Sequence, residues 1–141
     1  CHLFGPTMSR SDSRAGAEFI WSAVDGKDII LRSDGQRERS HCYVVDAVSA
    51  VMAVLEKGIT GNAYNIADKR YQMTIREFAE RTAETVGCKV VFKLSSGMEK
   101  KEYFKISRQV LNAKKLEKLG CTPVSTHAMS KTIVALKSYS R

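Results

Sequence analysis

Apolar positions mark five helical stretches of the chain, with short apolar runs between them. Ala17, Ile20, Trp21 and Val24 repeat at three- and four-residue steps and Gly26 follows, so the spacing predicts a helix over 15–25. Residues 47–55 are apolar on most faces, with Asp46 reading as the cap ahead of them and Gly58 as the stop. Thr74-Ile75-Arg76-Glu77 matches a capping box, in which Thr and Glu satisfy each other's exposed backbone amides. The helix it opens carries one stripe of Ile75, Phe78, Ala79, Ala83 and Val86 and ends at Gly87. Asn112 can cap a short helix bearing Leu116 and Leu119, and Met129, Ile133 and Leu136 share one side of a last helix over 126–138.

The runs between these helices read as strands: 3–4, 28–32, the extended segment entering Tyr43-Val44-Val45, 62–67 and 89–94. Residues 95–103 are polar and read as a loop. Strands alternating with helices argue an α/β fold. No internal repeat, low-complexity tract or Gly/Ser/Pro-rich linker divides the chain, so 1–141 is read as a single region.

Composition changes this picture little, and charge changes it more. The 141 residues are 43% hydrophobic and 27% charged, ordinary for a globular domain or a large piece of one. Cys1 is followed at once by the apolar strand, which leads to the expectation of a fragment of a longer fold. Strand edges left open in a fragment invite self-association, so a homodimer or fragment assembly is expected. The net charge is +8, and residues 93–141 supply all of it, with 11 basic and 3 acidic side chains. Such a surplus suits nucleic acid, phosphate ligands or a solvated helix face. Few aromatics interleave with these lysines, which weakens a single-strand stacking model.

The four cysteines are widely spaced and form no C-x-x-C pair, so neither a zinc ribbon nor a redox pair is expected. Free thiols in a reducing cytosol are the reading, with no metal. No leader pattern opens the chain, and its most apolar helix falls far short of the roughly 20 residues needed to cross a bilayer.

The chemistry is concentrated between residues 33 and 46. Asp34-Gly35-Gln36-Arg37-Glu38-Arg39 is a polar turn that leads into an extended segment and then the apolar helix. From the residues alone, Arg39 has two readings: a surface ion pair with Glu38 or Asp34, or an anion contact. No Gly-rich phosphate loop follows a first strand, and no tyrosine is followed four residues later by lysine. No G-x-S-x-G elbow, H-E-x-x-H helix or Walker loop is present either. A binding half-site is therefore expected, with no catalytic residue in this chain.

The order of motifs resembles one family nearly end to end. Leu3-Phe4-Gly5-Pro6 resembles the Tyr/Phe-Gly-Pro turn of the extended short-chain dehydrogenase/reductases, the NAD-dependent epimerase/dehydratase family acting on nucleotide sugars. Ser13-Arg14 before Phe19-Ile20 looks like its approach to the substrate-domain helix, and Asp34 through Asp46 resembles its DG-x-x-x-R-x-x-x-Y-V-x-D signature. Asn62-Ala63-Tyr64-Asn65-Ile66 and Leu119-Gly120-Cys121-Thr122-Pro123 are similar to its later motifs. Two departures stand out: Ser40-His41-Cys42 replaces the usual aromatic, and Cys121 stands where Trp is common.

The resemblance implies the C-terminal, substrate-binding portion of an extended Rossmann-type enzyme, with the NAD-binding part and its Tyr-x-x-x-Lys pair outside this chain. It implies that Arg39 grips a nucleotide diphosphate, with Arg108 and Arg14 as further substrate-side arginines. It places Gly5 and Pro6 beside the NAD cofactor. The residues without the resemblance leave a second class open, a basic α/β module binding nucleic acid through 93–141.

Overall fold

The computed structural model describes residues 1–93 and 107–139. The elements in chain order are β1 (His2–Phe4), α1 (Ala15–Val24), β2 (Ile29–Leu31), β3 (Glu38–Tyr43) and α2 (Val44–Lys57). A 3₁₀ turn (Lys69–Tyr71) leads to β4 (Gln72–Thr74), α3 (Ile75–Val86) and β5 (Val90–Phe92). β6 (Arg108–Gln109), α4 (Lys114–Glu117) and α5 (Ala128–Tyr139) complete the order. The fold is α/β, as expected, with mixed short strands.

β3 is the hub. It pairs in parallel with β1, setting His2 opposite His41, Leu3 opposite Cys42 and Phe4 opposite Tyr43. Its first half pairs antiparallel with β4, Arg39 facing Met73, and parallel with β6, Glu38 facing Arg108. A second sheet joins β2 and β5 in parallel, Ile30 facing Val91. β3 is a buried strand from Arg39 to Tyr43, so His41 and Cys42 are both enclosed although they point to opposite faces.

The core forms where α1, α3 and α5 pack together and against the sheets. Ile20, Ala23, Ile29, Leu31, Phe78, Ala79, Ile133 and Leu136 are all essentially sealed from solvent. The capping box forms as its spacing demands: Thr74 Oγ1 accepts from the Glu77 amide at 3.1 Å, and Glu77 Oε2 accepts from the Thr74 amide at 2.7 Å. Gly87 closes α3 in the left-handed region, with φ 74°, where a side chain would be strained.

Three sequence expectations are corrected. Residues 62–67 form no strand. They are tied by side chains instead: Asn62 Oδ1 accepts from Lys115 Nζ at 2.6 Å, and Asn65 Nδ2 donates to the Asn112 carbonyl at 3.2 Å. The strand beside β3 is β4, further along the chain. Asp46 does not cap α2, because Tyr43 occupies that position and Asp46 lies inside the first turn. Its buried Oδ1 instead accepts from the Val124 amide, the Ser125 amide and the Ser125 hydroxyl at 3.2, 3.2 and 2.9 Å. α4 starts after Ala113, with the Asn112 side chain one step outside, accepting from the Lys114 amide at 2.9 Å. The expected loop over 95–103 and the end of the expected 89–94 strand lie outside the described residues.

Candidate functional site

Period-two alternation along β3 puts Arg39, His41 and Tyr43 on one face, and the register adds His2 and Phe4 from β1 to the same face. α3 lays Phe78 over them. The Phe78 ring stacks on His41 with centroids 4.3 Å apart and meets Phe4 edge-on at 5.7 Å. His2 meets His41 edge-on at 5.5 Å. His41 Nδ1 lies 3.2 Å from the Tyr71 carbonyl oxygen, which fixes the ring in its plane.

Arg39 is only 9% exposed, and its guanidinium donates to the Glu38 carbonyl at 2.7 Å. The Glu38 carboxylate accepts from Arg108 Nε at 2.7 Å. Arg14 stands just ahead of α1 and lines the same narrow crevice as His2, Phe4, His41 and Phe78. Its guanidinium is doubly bonded to the Asp12 carboxylate, which holds that carboxyl down at about 2.

Arg14 and Arg39 therefore converge on the two imidazoles. Burial lowers the pKa of both rings, and these two cations lower it further. For the enclosed His41 the result is about 4. At neutral pH both rings are uncharged, and the Asp12 carboxylate offsets the charge of Arg14. A guanidinium offers a planar, permanently charged donor fork matched to phosphate oxygens.

Arg108 is not brought into this cluster. It is in register with Glu38, and neighbours along a strand point to opposite faces, so the Arg108–Glu38 pair and the Arg39 side chain part company at the sheet. Gly5 lies buried at the end of β1, packed so closely on Val44 that a Cβ would collide with that side chain. Its carbonyl accepts from the Met8 amide at 3.2 Å, which folds Gly5 and Pro6 into a tight turn.

Two features escaped the sequence reading. A cavity of about 360 Å³ opens between α1, β2 and the turn before β3, lined in part by Phe19, Ile30, Arg32, Ser33 and Arg37. Its walls come from three separated segments, so no local motif signals it. The second is Arg70, which donates to the Asp68 carboxylate and to the Ser125 carbonyl and lies 3.6 Å from Asp46. It locks the 124–125 segment onto the start of α2, a structural task. Among the described residues no group of three His, Cys, Asp or Glu side chains forms a metal site, and all four cysteines are unbonded thiols. No helix among them is long and apolar enough to cross a membrane.

The comparisons with known proteins bear on the family and the fold. Residues 1–67 match the model of the NAD dependent epimerase/dehydratase family. Over these residues, just under half of the chain, the sequence is that of the NAD-dependent epimerase/dehydratase family. UDP-glucuronic acid decarboxylase 5 of Arabidopsis thaliana is 32% identical over 93 residues, covering 66% of this chain and 27% of that protein. A trifunctional UDP-glucose 4,6-dehydratase, epimerase and reductase of the same plant is 30% identical over 122 residues, 84% of this chain and 17% of that protein.

Among solved structures, the fold matches the UDP-glucose 4-epimerase of Thermotoga maritima with a TM-score of 0.80 at 21% identity. That match covers 99% of this chain and 45% of the epimerase. The dTDP-glucose 4,6-dehydratase of Streptomyces venezuelae matches with a TM-score of 0.77 at 22% identity, over 98% of this chain and 42% of that one. This chain thus spans about a quarter of the decarboxylase and under half of either structure.

Proposed function

We propose that this chain is the C-terminal, substrate-side portion of an NAD-dependent nucleotide-sugar epimerase, dehydratase or decarboxylase. Arg39 is its diphosphate clamp, and the nucleotide sugar is its partner. The observation that carries the reading is the placement of Arg39: a nearly buried guanidinium on the central strand, beside Arg14 and two uncharged imidazoles. A cation so enclosed is held in one geometry, and that preorganisation lets a donor fork recognise pyrophosphate. The cavity lined in part by Phe19, Ile30 and Arg37 gives the rest of the ligand room. Arg14 lines the crevice beside His2 and His41, with its charge offset by Asp12. Arg108 has the lesser role of holding Glu38.

Gly5 and Pro6 fit the part of a wall beside the cofactor. The turn has shape, but its Gly5 carbonyl is already engaged by Met8. NAD, when bound to the complete enzyme, accepts and returns a hydride. The residues of this chain bind and orient the substrate and exclude water. The proton-transfer pair belongs to the remainder of the enzyme, so the isolated 141 residues are expected to show no turnover. A reducing cytosol suits the four thiols.

Titration of UDP into the chain by calorimetry tests this reading. Arg39→Ala should weaken binding by about 1.5–3 kcal/mol, the worth of a charged hydrogen bond, or roughly 10- to 150-fold. Equal binding by both proteins would remove the clamp.

A further inference from the structure

Two of the chain's three histidines stand together beside the proposed clamp. The β1–β3 register sets His2 opposite His41, and their rings meet edge-on with centroids 5.5 Å apart. Charged groups reach them from several elements: Arg39 from β3, Arg14 with its partner Asp12 from the segment ahead of α1, and the Cys1 amine just ahead of β1. α3 adds only the uncharged Phe78 ring, and the 3₁₀ turn adds the Tyr71 carbonyl. The Tyr43 and Tyr71 phenols are pushed above their ordinary 10 by burial, so they stay neutral wherever histidine titrates.

The two rings are not equivalent. His41 is 4% exposed, enclosed by Phe78 and the Tyr71 carbonyl. A carbonyl oxygen can only accept, so His41 Nδ1 carries the ring hydrogen. His2 is half-buried and lines the crevice with Arg14, so charging its ring costs less solvation. Two imidazoles in contact repel once both are charged, so the pair takes up one proton and His2 receives it. Burial first, then the charges of Arg14, Arg39 and the Cys1 amine, hold His2 below its ordinary value, and Asp12 opposes them. An anion on Arg39 reverses the larger part of that field. It offsets the Arg39 charge felt at His2 and adds an attraction of its own.

We propose that His2 is a proton-switched second cation of the diphosphate site. A diphosphate on Arg39 draws one proton from solvent onto the His2 ring, and the imidazolium holds the anion from the β1 side. One N–H bond forms, the ring gains a single positive charge, and no electrons are transferred. His41 stays neutral and orients His2. Binding therefore takes up a proton and strengthens as pH falls. This rests on the reading of Arg39 as the clamp.

The probe is UDP-glucose, whose two phosphates are both esterified and do not titrate near neutral pH. Calorimetry on the whole 141-residue chain at about pH 8, 6 and 5.5, in buffers of unlike ionisation enthalpy, reads affinity and proton uptake together. The expected affinity is about fivefold or more tighter at pH 5.5 than at pH 8, with about half a proton or more taken up per ligand near pH 6. His2→Gln should bind with an affinity that varies less than about twofold over this range, and should take up no proton. His127→Asn, at the exposed third histidine, should keep the full pH dependence. Circular dichroism at each pH checks that the chain is folded, and the proton count on the wild type needs no variant. Flat affinity without proton uptake in the wild type overturns the proposal. So does uptake that persists in His2→Gln, which gives the proton to His41 or to the Cys1 amine. Arg39→Ala at pH 8, where His2 is uncharged, tests the clamp by itself, so failure of the switch is distinguishable from failure of the clamp. No binding at any pH overturns both.

Discussion

The Arg39 face of β3 and the outer face of α2 are both rich in large side chains, and the fold treats them oppositely. On the β3 face, Phe4, His41, Tyr43 and Phe78 interlock, and Arg39 is nearly buried. On α2, a few residues further along, valine, methionine and leucine side chains stand in solvent. Packing therefore differs sharply between the two faces: the β3 face is completed by this chain's own side chains, whereas the outer α2 face stands exposed.

The comparison can be pressed at Phe78, where the largest effect is expected. Its ring is 1% exposed and bridges Phe4 and His41. Phe78→Ala should cost about 3–5 kcal/mol of stability in urea unfolding, as for an aromatic removed from a close-packed core. A loss below 1 kcal/mol would show that the β3 face is not the packed side.

The histidines give the next effect. The pKa of His41 is held to about 4 in the fold against an ordinary 6.5, by burial first, with the His2, Arg14 and Arg39 charges lowering it further. The hydrogen bond to the Tyr71 carbonyl opposes this. The unfolded chain therefore binds more protons between these values. The stabilising contribution is complete above pH 6.5 and is lost as pH falls toward 4. From pH 6.5 to 5 the loss should be about 1.5–2 kcal/mol. His2 is shifted the same way and adds to it. His41→Phe should flatten the slope of urea midpoint against pH over this window. The carboxylates held low by their partners, Asp12, Asp25 and Glu77, protonate at lower pH. An unchanged slope would mean that His41 is not enclosed.

The smallest effect belongs to α2. Met52→Ser in the isolated chain should change stability by less than about 0.5 kcal/mol, as for an exposed position. A loss of 2 kcal/mol would show that the outer face of α2 is already packed, and the contrast between the two faces would disappear.

The same contrast explains which features were legible in the sequence. α1, α3 and α5 show periodic stripes because one face of each meets this chain's own core, and Thr74 and Glu77 mark a helix start by purely local bonds. β4 was missed because Gln72-Met73-Thr74 has no alternation to read, and its place is set by pairing with β3. Residues 62–67 looked like a strand by composition, but Asn62 and Asn65 are satisfied by side-chain bonds to Lys115 and Asn112. Asp46 resembled a cap because acidic residues favour helix starts, whereas its partners lie nearly 80 residues away at Val124 and Ser125. Arg39 was legible as a position in a motif. Its burial and its company of His2, His41 and Arg14 come only from the β1–β3 register. Arg108, one of the two further arginines that the resemblance implied, pairs with Glu38.

The most direct measurement is the preference of the chain for UDP over uridine, taken by calorimetry in the wild type and in Arg39→Ala. A pyrophosphate clamp predicts that the wild type prefers UDP, that the variant loses about 10- to 150-fold of that preference, and that uridine affinity is the same in both. A preference for UDP that survives intact in Arg39→Ala would contradict the account.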